Sequence, residues 1–137
     1  MPKTTETVLE INLTALGNNY CYLKSKLNDD TILLGVVKAF AYGSDATVIA
    51  KELDILGIDY FAVAYVSEGV RLRNAGIKTP ILVLHPQLEN FETLIDRCLE
   101  PSLYSERALN HFIKIATEKK QSNYPVHIKF NTGLNRL

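Results

Sequence analysis

The 137-residue sequence predicts an α/β fold, a partial TIM-type (β/α) barrel of about five parallel strands alternating with helices. Short apolar runs begin near residues 32, 60, 81, 102 and 126, and each but the last is followed by an amphipathic helical pattern. The unit recurs about every twenty to thirty residues, which is the rhythm of parallel strands joined by right-handed crossovers. A leucine-rich solenoid has a similar period but needs an L-x-x-L-x-L-x-x-N signature, and a Rossmann-like sheet needs a Gly-rich first loop. Neither is present.

Thr7 to Ile11 alternates weakly and reads as an extended lead-in to Asn12, a cap for a helix with Leu13, Leu16, Tyr20, Leu23 and Leu27 on one stripe. The first strand is Ile32 to Lys38. After a Gly-containing loop comes a helix in which Ala46, Ile49, Ala50, Leu53 and Leu56 keep helical spacing until Gly57 stops it. Tyr60 to Tyr65 is a continuous apolar run, as in a strand buried on both faces, and Ser67 is expected to cap a short helix ending at Gly76. Pro80 introduces the strand Ile81 to Leu84, and Leu88, Phe91, Leu94, Ile95 and Cys98 mark the next helix. A brief strand at Ser102 to Tyr104 leads through Ser105 into a helix with Ala108, Phe112, Ile115 and Ala116 inward, and the last strand is Val126 to Phe130.

A chain of this length can bury roughly two thirds of its unfolded surface, so a single core is feasible. With 47% apolar and 22% charged residues and fifteen charges of each sign, there is no basic footprint for nucleic acid or an anionic membrane. No stretch approaches the ~18 apolar residues of a membrane span, and Met1 to Glu6 lacks the apolar region of a secretory signal behind it. Cys21 and Cys98 are far apart and read as free thiols, so the protein is expected to be cytoplasmic. His85, His111 and His127 have no metal-ligand spacing, and no metal is expected.

Lys38 ends the first strand and is followed by Ala39-Phe40-Ala41-Tyr42-Gly43. A lysine delivered by a buried strand to a partly dry loop can form a Schiff base with an aldehyde, because such a setting favours the neutral amine. Taken alone, a lysine at such a place is more often a solvated rim residue. The surrounding residues add specificity. Val37-Lys38-Ala39 with Ala41-Tyr42-Gly43, Glu68-Gly69-Val70-x-Leu72-Arg73-x-Ala75-Gly76-Ile77, Pro80-Ile81-Leu82-Val83-Leu84 and the terminal His127-Ile128-Lys129-x-x-Thr132-Gly133-x-x-Arg136-Leu137 together resemble the N-terminal barrel half of alanine racemase. Phe40, Ser44, Asp45 and Tyr65 to Gly69 also resemble the racemase part of bacterial ligase/alanine racemase fusion proteins.

The resemblance implies pyridoxal 5'-phosphate as cofactor, held covalently by Lys38, which then acts as acid and base on one face of the substrate Cα. It implies that Tyr42 donates its hydroxyl to the cofactor phosphate, that Leu84 lies beside the cofactor ring, and that Arg136 meets the cofactor's phenolic oxygen and the substrate carboxylate. Lys129 matches a lysine that many family members carbamylate to orient that arginine. Packing alone remains an alternative for Tyr42 and Leu84, and a solvated strand lysine for Lys129. Asn131 stands where aspartate is more usual, and Phe40 and Ser44-Asp45 also depart from the common pattern.

An eight-unit barrel needs about 250 residues. Residues 1–137 are therefore expected to be the N-terminal part of such a barrel, without the C-terminal β domain that in the family supplies a second catalytic tyrosine. The function implied is racemisation of L-alanine to D-alanine for peptidoglycan by a full-length protein, acting on a small amino acid as a homodimer. Two other readings stay open, a non-enzymatic pyridoxal phosphate carrier and an inactive racemase fragment.

Overall fold

The computed structural model of the protein describes residues 7–136, so the readings of Met1 to Glu6 and of Leu137 lie outside the described residues. Along the chain run α1 (Leu13–Lys24), β1 (Leu34–Val36), α2 (Lys38–Gly43), α3 (Ala46–Ile55), β2 (Tyr60–Val63), α4 (Val66–Asn74), β3 (Ile81–Val83), a 3-10 turn (Leu88–Asn90), α5 (Phe91–Asp96), β4 (Glu100–Leu103), α6 (Glu106–Glu118) and β5 (His127–Ile128). The five strands form one sheet in the order β1-β2-β3-β4-β5, every neighbouring pair parallel. This is the predicted βα rhythm, in strands shorter than the apolar runs suggested.

Strand parity decides which side chains enter the core. Phe61, Val63, Ile81, Val83 and Leu103 are buried and pack in one cluster with Leu53 of α3, Leu72 of α4, Phe91 and Leu94 of α5 and Phe112 of α6. Complete burial of Phe61 and Phe91 stabilises the domain by about 1.5–3 kcal/mol each. Residues of opposite parity in the first strand, Leu34 and Val36, remain 37% and 39% exposed. One face of the sheet is therefore covered by helices, whereas on the opposite face β1 is open to solvent and the inner strands bury Ala62 and Ser102.

Caps set by local side-chain chemistry lie where the sequence places them. The Asn12 side chain accepts from Ala15 N–H and the Ser105 hydroxyl from Ala108 N–H. Gly57 and Gly76 follow α3 and α4 at φ 82° and 95°, a left-handed conformation in which glycine carries no Cβ penalty. Four expectations need correction. Helix α4 starts at Val66 with Tyr65 in the cap position, because the Glu68 carboxylate reaches back to the Tyr65 N–H and leaves Ser67 no capping task. The fourth strand begins at Glu100, two residues early, where Pro101 faces the core. On α1 only Tyr20 is buried, tied through its hydroxyl to the Gly57 carbonyl, while Leu23 is 53% exposed and Leu27 lies past the helix end.

The fourth correction concerns the loop after Lys38. It is a left-handed helical turn, with Ala39, Phe40, Ala41 and Tyr42 all at φ between 50° and 60°, closed by Gly43 at φ 89°. Left-handed helix costs L-residues roughly 1–2 kcal/mol each, so this turn stores several kcal/mol that its surroundings must offset.

Candidate functional site

Lys38 follows the buried Val37, whose N–H donates to the Ala62 carbonyl, and so leaves the sheet at the C-terminal end of β1. Leu84 lies just past β3, its N–H bonded to the Val63 carbonyl. Lys129 follows β5 and donates its N–H to the Leu103 carbonyl. These ladder bonds place three side chains from distant parts of the sequence at one end of the sheet. There they line a cavity of about 320 Å³ with Ala64, His85, Ser102 and Arg136.

Three of those seven residues, Lys38, Lys129 and Arg136, are cationic types, and no carboxylate lies among them. Such a setting attracts an anion, and Arg136 offers a planar fork suited to a carboxylate or phosphate. Leu84 and Ala64 give the same cavity an apolar wall. The donor set fits a phosphate-bearing aldehyde: an amine to bond the carbonyl carbon, cations for the anionic groups, and a hydrocarbon surface for a ring.

Of the residues predicted from sequence, Lys38, Leu84, Lys129 and Arg136 are brought together. Tyr42 is not among the cavity-lining residues. It is 69% exposed at the rim, with its ring centroid 5.9 Å from Lys38 Nζ. The three further residues lining the cavity, Ala64, His85 and Ser102, were not singled out as site residues. For Ala64 and Ser102 the available signal is parity, since residues 62 and 64 or 100 and 102 share a face of their strands. His85 is packed as an aromatic, edge-on to Tyr65 at 5.9 Å and stacked on Tyr104 at 5.8 Å, with its Nδ1 buried and unbonded among the described residues.

A second polar cluster lies at the opposite ends of the strands. Tyr60, the first residue of β2, donates its hydroxyl to Glu100, and His127 Nε2 lies 3.0 Å from the same carboxylate oxygen. Burial first, and the Glu100 carboxylate second, push the Tyr60 phenol above its ordinary range. This cluster binds itself together and contains no nucleophilic amine. Among the described residues no group of three or more His, Cys, Asp or Glu side chains could hold a metal ion, and both cysteines are free and exposed. No described helix is long and apolar enough to cross a membrane.

Comparison with known proteins places this geometry in context. The sequence model described as "Alanine racemase, N-terminal domain" matches residues 11–137. The chain belongs to that family. Alanine racemase 2 of Oceanobacillus iheyensis is 35% identical over 135 residues, which cover 96% of this chain and 34% of that protein. Among solved structures, alanine racemase of Clostridium difficile 630 in complex with cycloserine superposes with a TM-score of 0.89 at 37% identity, covering 93% of this chain and 35% of that one. Alanine racemase of Bacillus anthracis with bound L-Ala-P gives 0.88 at 30% identity, covering all of this chain and 35% of that one. The chain thus spans about a third of the length of the curated relatives it matches. At this identity the likeness extends to the fold and to the family, and the N-terminal (β/α) barrel half is the part shared.

Proposed function

We propose that this chain is the cofactor-bearing barrel part of an alanine racemase, which interconverts L- and D-alanine with pyridoxal phosphate. One observation supports this most: a single cavity unites Lys38 with Lys129 and Arg136, about ninety residues later in sequence, in the setting of a family match over residues 11–137. When bound, the cofactor supplies an electron sink that acidifies the substrate's Cα–H bond. Lys38 holds the cofactor and then moves a proton to or from one face of Cα. Arg136 orients the substrate carboxylate, and Lys129, if carbamylated, would present an anion that aims the guanidinium. Leu84 and Ala64 keep water from one wall. Tyr42, at the rim, serves the cofactor phosphate as a neutral donor.

Racemisation needs proton exchange on both faces of Cα, and the group for the second face is supplied from beyond these residues, in a homodimer of the full-length protein. The D-alanine would serve peptidoglycan synthesis in the cytoplasm. The test is to incubate the chain with pyridoxal phosphate, reduce with borohydride and map the adduct by peptide mass spectrometry. A label concentrated on Lys38 is expected. Uniform low labelling of surface lysines would overturn the assignment. Conversion of L- to D-alanine, measured with and without a supplied C-terminal portion from a relative, separates a racemase from a mere cofactor carrier.

A further inference from the structure

The left-handed turn that carries Lys38 cannot hold itself, because Ala39, Phe40, Ala41 and Tyr42 are all residue types that avoid that conformation. Its first amide has a specific partner. Ala39 N–H donates to Glu68 Oε1 at 2.8 Å, while the other oxygen of the same carboxylate accepts from Ala64 N–H at 2.7 Å and Tyr65 N–H at 3.2 Å. Glu68 sits in the first turn of α4, where a negative charge is favoured by the helix dipole and where the backbone is already fixed by the strand it follows. One carboxylate thus ties the end of β2 to the residue directly after Lys38. One helical turn further on, Arg71 places its guanidinium 4.7 Å from the centroid of the Phe40 ring, a second contact from α4 to the same turn.

We infer that Glu68 is a positioning residue for Lys38: by anchoring the Ala39 amide it fixes the direction in which the amine enters the cavity. The inference rests on the reading that Lys38 carries the cofactor. A capping role alone would need only the Tyr65 N–H. The bond to Ala39, 29 positions away in sequence, adds nothing to the α4 terminus and acts only on the lysine-bearing turn.

Two variants separate positioning from general stability. Glu68→Gln keeps the side-chain shape but offers one oxygen to amides that now require two, and Glu68→Asp keeps the charge at the helix terminus while falling short of Ala39. Three measurements are made on the chain: thermal unfolding, hydrogen exchange of the peptide covering residues 38–43, and labelling of Lys38 by pyridoxal phosphate with borohydride across cofactor concentrations. For Glu68→Asp we expect a melting temperature lowered by only a few degrees, exchange at residues 38–43 at least tenfold faster with the α5 and β4 peptides unaltered, and a saturating labelling rate about tenfold lower. The half-saturating concentration should change less than twofold. Exchange at residues 38–43 or a labelling rate equal to the parent's in both variants overturns the inference, as does a uniform rise in exchange over the whole chain. Failure of the cofactor reading looks different, since the unsubstituted chain would then take no label on Lys38 at all. Should Glu68→Gln fail to fold, Glu68→Asp carries the test alone.

Discussion

Replacing Arg73 with Ala should destabilise the domain more than any other single truncation of a polar side chain. Its guanidinium donates to four backbone carbonyls, Nε to Arg97 at 3.1 Å, Nη1 to Ile77 and Thr79 at 2.8 Å each, and Nη2 to Cys98 at 2.9 Å. Those carbonyls belong to the segment between α4 and β3 and to the two residues that follow α5, so one side chain joins two consecutive βα units. Burial lowers the guanidinium's pKa, with nearby Cys98 and Tyr124 acting in the opposite sense, yet an arginine stays charged under any folding condition. A hydrogen bond from a charged donor contributes about 1.5–3 kcal/mol when its partner is otherwise unsatisfied and about 1 kcal/mol when water can replace it. These carbonyls sit in turns that water reaches once the side chain is removed, so about 1 kcal/mol each is appropriate, or about 4 kcal/mol for the set. At roughly 3–5 °C per kcal/mol for a chain of this size, the melting temperature should fall by about 12–20 °C. Arg73→Lys, whose ammonium is a point donor without the fork, should lose about half as much. Urea and thermal unfolding followed by circular dichroism read both values. A loss under about 1 kcal/mol for Arg73→Ala, or Arg73→Lys matching the parent, would refute the assignment of these bonds as the link between units.

Two further predictions concern the first βα unit. The Asp59 carboxylate is held below its ordinary range by the Lys24 ammonium at 2.8 Å and then by the Leu33 N–H; the folded state therefore binds this proton less readily, and the stabilisation is full above the ordinary carboxylate range and is lost as pH falls from there through the lower value of the folded state. The urea midpoint should drop more steeply between about pH 5 and 2 for the parent than for Asp59→Asn, and identical slopes would disprove the linkage. In β1, a Cβ on Gly35 would lie 2.7 Å from Ile58 Cδ1 and 3.4 Å from Leu53 Cδ1, so Gly35→Ala should cost about 1–3 kcal/mol by overpacking. Adding Ile58→Val, which deletes the offending methyl, should restore most of that loss in the same unfolding assay, and no recovery would place the strain elsewhere.

What could be read from sequence follows the range of the interactions involved. Asn12 and Ser105 cap their helices through bonds to residues three positions away, so the sequence alone located them. Tyr60 to Val63 and Ile81 to Val83 were legible because strands in the middle of a parallel sheet are apolar on both faces. The left-handed turn was illegible for the opposite reason. Its four residues favour other conformations, and the contacts that hold them are long-range, Ala41 against the core and two from α4, 29 to 31 positions away. The capping role of Glu68 was hidden in the same way, since Tyr65-Val66-Ser67-Glu68 advertises Ser67 as a cap. At the site, the family resemblance pointed to Lys38, Leu84, Lys129 and Arg136, which line one cavity, whereas Ala64 and Ser102 carry no such signature and enter it by strand parity alone.

Sheet register couples these features. Leu34, Gly35 and Val36 pair with Tyr60, Phe61 and Ala62, and this alignment sets the height of Ala39 against Glu68. A slip of one residue between β1 and β2 would shift the Ala39 amide by about 3.3 Å, beyond hydrogen-bond reach of the carboxylate, and would turn Gly35 away from Ile58. The strained turn is therefore compatible with only one register, and the same register leaves room for Ile58 only because residue 35 lacks a side chain. Packing between β1 and α3, strain after β1 and the placement of the Lys38 amine are then one structural constraint, enforced from the β2–α4 unit.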